Sequence, residues 1–301
     1  MPPVSPRPHS LQFQVFRSRD ALRQGLLTPA QLRNAAWRRV LRGVYADSRL
    51  EPDHLLRCQA AALLAPAAAA IAGPSAAYLH GIESAAGPEA AVHLAVEPKQ
   101  RFGPVNGLRI HTGALPETDR TVRHGLNCTT PLRTAWDLAM WLDPLRAVPT
   151  LDAMLGSNLV APADLARLLQ ARRELGARGT RRAGRVFALA DGRAQSPAES
   201  LLRVKLVLRG IPPPVPQHPI RVRSGRVLHP DLAWPRYRVA LEYDGGYHAD
   251  PDQLDLDRRR LNQLTDAGWL VLHATARRLY REFESLQYEV RRALRSRGAP
   301  I

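Results

Sequence analysis

Near the C-terminal end, Asp231 follows Pro230 and is separated by ten intervening residues from the run Glu242-Tyr243-Asp244-Gly245-Gly246-Tyr247-His248. Strand alternation places Tyr237, Val239, Leu241 and Tyr243 on one face and Arg238, Ala240, Glu242 and Asp244 on the other. Two carboxylates then project together, roughly 7 Å apart along the chain. A short hairpin would bring Asp231 beside Glu242. Like charges at that distance repel and call for a cation. Hard oxygen donors suit Mg²⁺ or Mn²⁺. The same spacing equally fits three ordinary acids at a solvated strand end. Further on, Leu254, Leu261 and Leu264 mark the buried stripe of a helix, with Asp257 in its middle and Asp252 and Asp255 facing away. An acid on a buried face needs a partner: a metal, an imidazole, or Arg258 or Arg260 at the flanks of the stripe.

These residues need a frame. Ser196-Pro197-Ala198-Glu199 reads as a capping box that opens a helix to about Arg209, ended by the proline-rich stretch Pro212 to Pro216. Strands are expected at Gln217 to Val222, Val227 to Ala233 and Tyr237 to Tyr243. A helix from Pro251 to Ala267, stopped by Gly268, a strand Trp269 to His273 and a closing helix Ala276 to Ser296 follow. Glu199 has two readings, a capping residue or a member of the acidic site. Arg203, one turn later, would pair with it or touch phosphate.

His229-Pro230-Asp231, Glu242-Tyr243-Asp244-Gly245-Gly246-Tyr247-His248, Asp257-Arg258-Arg259-Arg260 and Gly268-Trp269-Leu270-Val271-Leu272 occur in the order of the PD-(D/E)XK nuclease superfamily. The region 196–301 resembles its branch of domains similar to very-short-patch-repair endonucleases. The resemblance implies a restriction-endonuclease-like α/β fold and a Mg²⁺ (or Mn²⁺) site at Asp231 and Glu242, with Glu199 and Gln217 nearby. The expected catalytic set is Asp231, Glu242, Asp244, His248, Asp257 and Glu199. One departure stands out: the superfamily usually carries a lysine where this chain has Asp244. In the short-patch-repair branch a histidine after the glycine turn moves a proton, and His248 holds that place. An imidazole with an unperturbed pKa near 6.5 suits transfer in either direction. Asp257 would orient His248 or reach the metal through water. Arg258 or Arg260 would steady charge on a phosphate. The competing readings are a surface imidazole at His248 and a structural salt bridge at Asp257.

At the other end, Thr28-Pro29-Ala30-Gln31 forms a second capping box, predicting a helix from Pro29 to about Arg38, and Val40 to Ala46 reads as a strand bent at Gly43. A short first helix around Asp20 and Leu22 ends at Gly25. This order is that of a winged helix-turn-helix. Arg33 and Asn34 would reach base edges, while Arg38, Arg39 and Arg42 would hold phosphates; a solvated helix face is the other reading. The middle predicts helices at Asp53 to Leu64, Ser75 to His80 and Pro131 to Leu142, and strands at Ala91 to Val96 and Leu108 to Thr112. Helical stretches near Ala161 to Glu174 and Arg181 to Ala190 follow. Thr28-Pro29, Trp37-Arg38, Arg42-Gly43-Val44-Tyr45, Ser75 to Gly81 and Thr129 to Leu138 are similar to AbiEi-type antitoxins of type IV toxin-antitoxin systems. That resemblance implies DNA binding.

The composition agrees with a polyanionic partner. The 301 residues hold 43 Lys and Arg against 27 Asp and Glu, a net +16, with only Lys99 and Lys205 as lysines. The excess is uneven: 8 basic to 2 acidic residues over 1–47, 9 to 9 over 48–150, 8 to 4 over 151–195, and 18 to 12 over 196–301. Basic ends around a neutral middle favour nucleic acid contacts at the ends. Cys58 and Cys128 are too few for a disulfide framework or a zinc site, and with no secretory pattern they predict a cytoplasmic protein. The longest apolar run, Ala60 to Ala72, contains Pro66 and is too short to span a bilayer.

An α/β multidomain chain is therefore expected: a winged helix-turn-helix over 1–50, a central α/β domain over 51–190 and a nuclease-like α/β domain over 191–301. The expected function is Mg²⁺-dependent DNA cleavage. A non-catalytic DNA-binding regulator or antitoxin with a degenerate nuclease fold is the alternative. DNA is the expected partner, together with a toxin or a second copy of the chain; no membrane contact is expected.

Overall fold

The computed structural model describes residues 7–100, 102–244 and 251–301, with backbone alone for 251–257. The chain divides into two compact units, Met1–Trp141 with Ala163–Gln170, and Leu142–Pro162 with Ala171–Ile301.

The first unit begins with β1 (Val15–Arg17) and α1 (Ser18–Arg23), then β2 (Trp37–Leu41) and β3 (Val44–Asp47). These strands form an antiparallel sheet in the order β1-β3-β2. Leu41 pairs with Val44, so Arg42 and Gly43 make a two-residue hairpin turn, and Gly43 supplies the positive φ that such a turn needs. The small core gathers Leu11, Phe16, Ala21, Leu27, Leu32, Ala36 and Trp37, with Phe16 meeting Trp37 edge-on at 5.2 Å. Asp47, fully buried, ties the sheet to its flanks by accepting from the Phe13 amide at 3.0 Å and the Arg49 guanidinium at 2.6 Å. These cationic and amide donors hold its carboxyl below the usual carboxylate range.

The helix expected from Pro29 to Arg38 is absent. Its capping box forms reciprocally, with the Thr28 amide donating to Gln31 Oε1 at 2.7 Å and the Gln31 amide to Thr28 Oγ1 at 3.2 Å. Only a 3-10 turn, Gln31–Arg33, follows it. Asn34 ends the turn: its backbone is extended and its side chain accepts from the Ala36 amide at 3.1 Å, after which Trp37 enters the sheet. The strand expected at Val40 to Ala46 is instead a hairpin that begins three residues earlier.

The rest of this unit is a mixed sheet with helices. Its elements are α2 (His54–Leu64), β4 (Ala70–Ile71), α3 (Gly73–Leu79), β5 (Val92–Val96), β6 (Leu108–Thr112), β7 (Arg120–Arg123), β8 (Leu126–Thr129) and α4 (Pro131–Trp141). Strand order is β6-β5-β4-β8-β7. Asp53 caps α2 by accepting from the Leu56 amide at 2.8 Å. Cys58 and Cys128 are free thiols buried in the same apolar cluster as Ile71, Leu79 and Leu94. Burial raises both thiol pKa values, that of Cys128 to about 11.

The second unit contains α5 (Pro144–Gly156), α7 (Thr180–Leu189) and α8 (Pro197–Leu208), with α6 (Pro162–Glu174) running between the two units in sequence. Then come β9 (Val215–Pro216), β10 (Ile220–Arg221), β11 (Val227–Leu228), β12 (Leu232–Trp234), β13 (Val239–Asp244), α9 (Pro251–Asp266), β14 (Leu270–Thr275), α10 (Ala276–Tyr280) and α11 (Phe283–Ser296). The main sheet runs β14-β13-β12-β9, with β13 and β14 parallel and the other pairs antiparallel. Leu202, Leu206, Leu232, Leu241, Leu286 and Val290 fill the core between this sheet and its helices. Each such leucine contributes ~1.5–3 kcal/mol by burial.

Three expectations change here. The strand expected at Val227 to Ala233 is split between β11 and β12, which lie in different sheets. Tyr237 and Arg238 precede β13, in a 3-10 turn and a left-handed residue. The closing helix is broken at Arg281-Glu282 into α10 and α11.

Candidate functional site

Antiparallel pairing of β12 with β13 sets Leu232 opposite Leu241, so Asp231, one step before β12, stands opposite Glu242. The register therefore builds the expected juxtaposition. Asp231 Oδ2 accepts from the Tyr243 amide at 2.7 Å and Oδ1 from Gln217 Nε2 at 3.2 Å. The Asp231 amide donates to Glu242 Oε2 at 3.3 Å. Gln217, in a left-handed conformation after β9, also donates from Nε2 to Glu199 Oε2 at 3.2 Å. Its amide thus bridges two carboxylates.

Glu199 is buried on the first turn of α8. Its amide donates to Ser196 Oγ at 3.2 Å, and its carboxylate accepts from the Gln195 amide at 3.0 Å. Ser196 caps the helix, and Glu199, bonded to the chain just before that cap, shares the Gln217 amide with Asp231. Asp231 is pushed up to about 7, first by burial and then by the negative charges of Glu199 and Glu242, against the hydrogen bonds from Tyr243 and Gln217.

Arg260 on α9 is directed at the cluster. Its Nε lies 3.1 Å from Glu242 Oε1, and its Nη2 donates to the His229 carbonyl at 2.6 Å. Arg258 is exposed on the same helix. Asp244 is exposed at the end of β13, and its Oδ2 lies 3.1 Å from Nδ1 of His273 on β14. Parallel pairing with β13 aligns His273 with Glu242 and brings its ring to Asp244. His273 was not among the expected site residues; its place beside an acidic strand end is visible only once the β13–β14 register is known. His248 and the Asp257 side chain lie outside the described residues. Arg203 does not join the cluster: it is buried against Asp152 of α5 at 2.7 Å and donates to the Leu189 carbonyl at 2.6 Å.

Mg²⁺ and Mn²⁺ need several oxygen ligands converging on one point, close to octahedral for Mg²⁺. Each oxygen of Asp231 and Glu242 already accepts a hydrogen bond, and a guanidinium covers Glu242. Among the described residues, no three His, Cys, Asp or Glu side chains form a group that could hold a metal. Among the described residues the donors as arranged do not fit a resident divalent cation.

The basic N-terminal residues fall into two sets. Arg33, Arg39 and Arg42 are exposed, at the 3-10 turn, on β2 and at the hairpin tip. Asn34 and Arg38 carry structural bonds. The Arg38 guanidinium donates to the carbonyls of Leu50 and Ser48 at 3.0 and 3.2 Å, which secures the chain after β3. Among the described residues no helix is long and apolar enough to cross a membrane.

Residues 67–189 match the family model of the AbiEi antitoxin C-terminal domain. No solved structure matches the chain. Two proteins of Mycobacterium tuberculosis, "Uncharacterized protein MT2308" from strain CDC 1551 and "Uncharacterized protein Rv2248" from strain H37Rv, are each 32% identical over 243 residues, covering 80% of this chain and 86% of theirs. The chain belongs to the family of these mycobacterial proteins, and within it carries a region similar to the AbiEi antitoxin C-terminal domain.

Proposed function

We propose that the chain is a DNA-binding regulator of the antitoxin kind, whose C-terminal carboxylate site does not hydrolyse DNA. The match of residues 67–189 to the AbiEi antitoxin C-terminal domain carries this reading. The order β1, α1, 3-10 turn, β2, β3 with sheet order β1-β3-β2 supports a compact winged-helix variant at the front. Its recognition element is short: three 3-10 residues rise only ~6 Å, too little to lie along a major groove. DNA contact therefore falls chiefly to the exposed Arg39 and Arg42 of the hairpin and to the exposed Arg33 of the 3-10 turn, and these are phosphate contacts more than base contacts. A toxin or a second copy of the chain is the protein partner.

Metal-dependent DNA cleavage is the second reading, favoured by the convergence of Asp231 and Glu242 of the sheet with Gln217 after β9 and Glu199 of α8. Gel shifts of the full chain on DNA upstream of its own gene, alongside plasmid nicking in Mg²⁺ or Mn²⁺, separate the two. Specific shift without nicking supports the regulator; nicking that Asp231→Ala abolishes supports the nuclease.

A further inference from the structure

We infer that the Arg260 guanidinium serves as the built-in cation of the C-terminal acidic site, holding Glu242 and the His229 carbonyl where a divalent ion would otherwise be needed. The inference rests on the reading of this site as non-hydrolytic and does not draw on DNA binding. Two contacts place the charge: Nε to Glu242 Oε1 at 3.1 Å and Nη2 to the His229 oxygen at 2.6 Å. Together they link the residue before Pro230 to the middle of β13, the two segments that carry the facing acids. A planar guanidinium with five donors reaches two oxygens at once and keeps its charge at every relevant pH.

The rest of the cluster is satisfied from within the protein. Gln217 and the Tyr243 amide occupy Asp231, Gln195 and Gln217 occupy Glu199, and His273 meets Asp244. Asp244 also stands where the resembled nucleases carry a lysine, so the ammonium expected there is replaced by an acid that has its own basic neighbour. An acidic group without a metal needs positive charge and donors, and here the charge comes from Arg260 and the donors from side chains and backbone amides. Removal of Arg260 would leave the Glu242 carboxylate beside Asp231 without the guanidinium that pairs with it.

The test is Mn²⁺ binding to the full chain, read by electron paramagnetic resonance of free Mn²⁺. The variants are Arg260→Gln, Arg260→Lys and Arg260→Gln combined with Asp231→Asn, with thermal melts to establish that each is folded. The wild type is expected to bind no Mn²⁺ at this site below millimolar concentration, and Arg260→Gln to bind at least tenfold more tightly. Arg260→Lys keeps the charge and should behave as wild type, while adding Asp231→Asn should erase the gain. Wild type that binds Mn²⁺ as tightly as Arg260→Gln overturns the inference, as does a folded Arg260→Gln with no gain. An inert wild type with no gain in Arg260→Gln defeats this inference alone; a failed promoter shift defeats the proposed function alone.

Discussion

Asp231 sits between two fates, since burial and two neighbouring acids favour its protonated form while two hydrogen bonds favour the anion. The sign of its effect on stability follows. A carboxyl raised to about 7 in the fold, from an ordinary value near 3.8, stabilises the fold fully below the lower value. That contribution is lost as pH rises through the higher one. Asp231→Asn mimics the protonated form, and the Gln217 amide can turn to accept from it. The variant should match wild type near pH 4 and exceed it at pH 8 by about 1–3 kcal/mol. Urea unfolding at the two pH values reads the difference; a pH-independent offset would mean that the Asp231 carboxyl titrates normally. The acids at 231 and 242 were legible in the sequence because period-two alternation and a short antiparallel link fix their faces. The sequence offers Arg260 only as a flank residue of the α9 stripe or a phosphate contact, and its hold on Glu242 depends on how α9 docks, which no local pattern encodes.

At the scale of elements, helices α5 and α8 are joined by the buried Asp152–Arg203 pair, with the Asp191 amide also donating to Asp152 at 2.7 Å. Truncation of Arg203 to Ala leaves a buried carboxylate without its cation and should cost ~3–5 kcal/mol, measured by denaturant unfolding. Pairing that change with Asp152→Leu should recover much of the loss; an unchanged midpoint for Arg203→Ala alone would show that water replaces the guanidinium. No helix is expected from the sequence where α5 lies. Pro149 lies inside it and removes an interior hydrogen bond, and helical spacing offers Arg203 only Glu199 or a phosphate because a partner 51 residues away leaves no local trace. The Thr28 box is the converse case. The cap formed as written, yet the Asn34 turn and the burial of Trp37 won over helix propensity within one turn. Capping signals mark where a helix can start, and tertiary burial decides how far it runs.

Across the whole molecule, the net +16 divides into exposed arginines available to a polyanion and arginines consumed by the fold. Arg38, Arg49, Arg133 and Arg203 belong to the second class, each bonded to protein oxygens. Arg39 and Arg42 belong to the first. Their joint change to Ala should leave the melting temperature unchanged, weaken DNA binding, and lower the slope of log affinity against log salt by up to ~2, at ~0.9 per phosphate contact. The central claim, a regulator that binds DNA without cutting it, is tested most directly by gel shift of the full chain on the DNA upstream of its own gene, in EDTA and again in Mg²⁺, against a scrambled duplex. The expected result is a specific shift, equal in both conditions, that the Arg39→Ala/Arg42→Ala variant weakens, with every duplex recovered intact. Equal binding to the scrambled duplex, or cleaved DNA in the Mg²⁺ lanes, would contradict it.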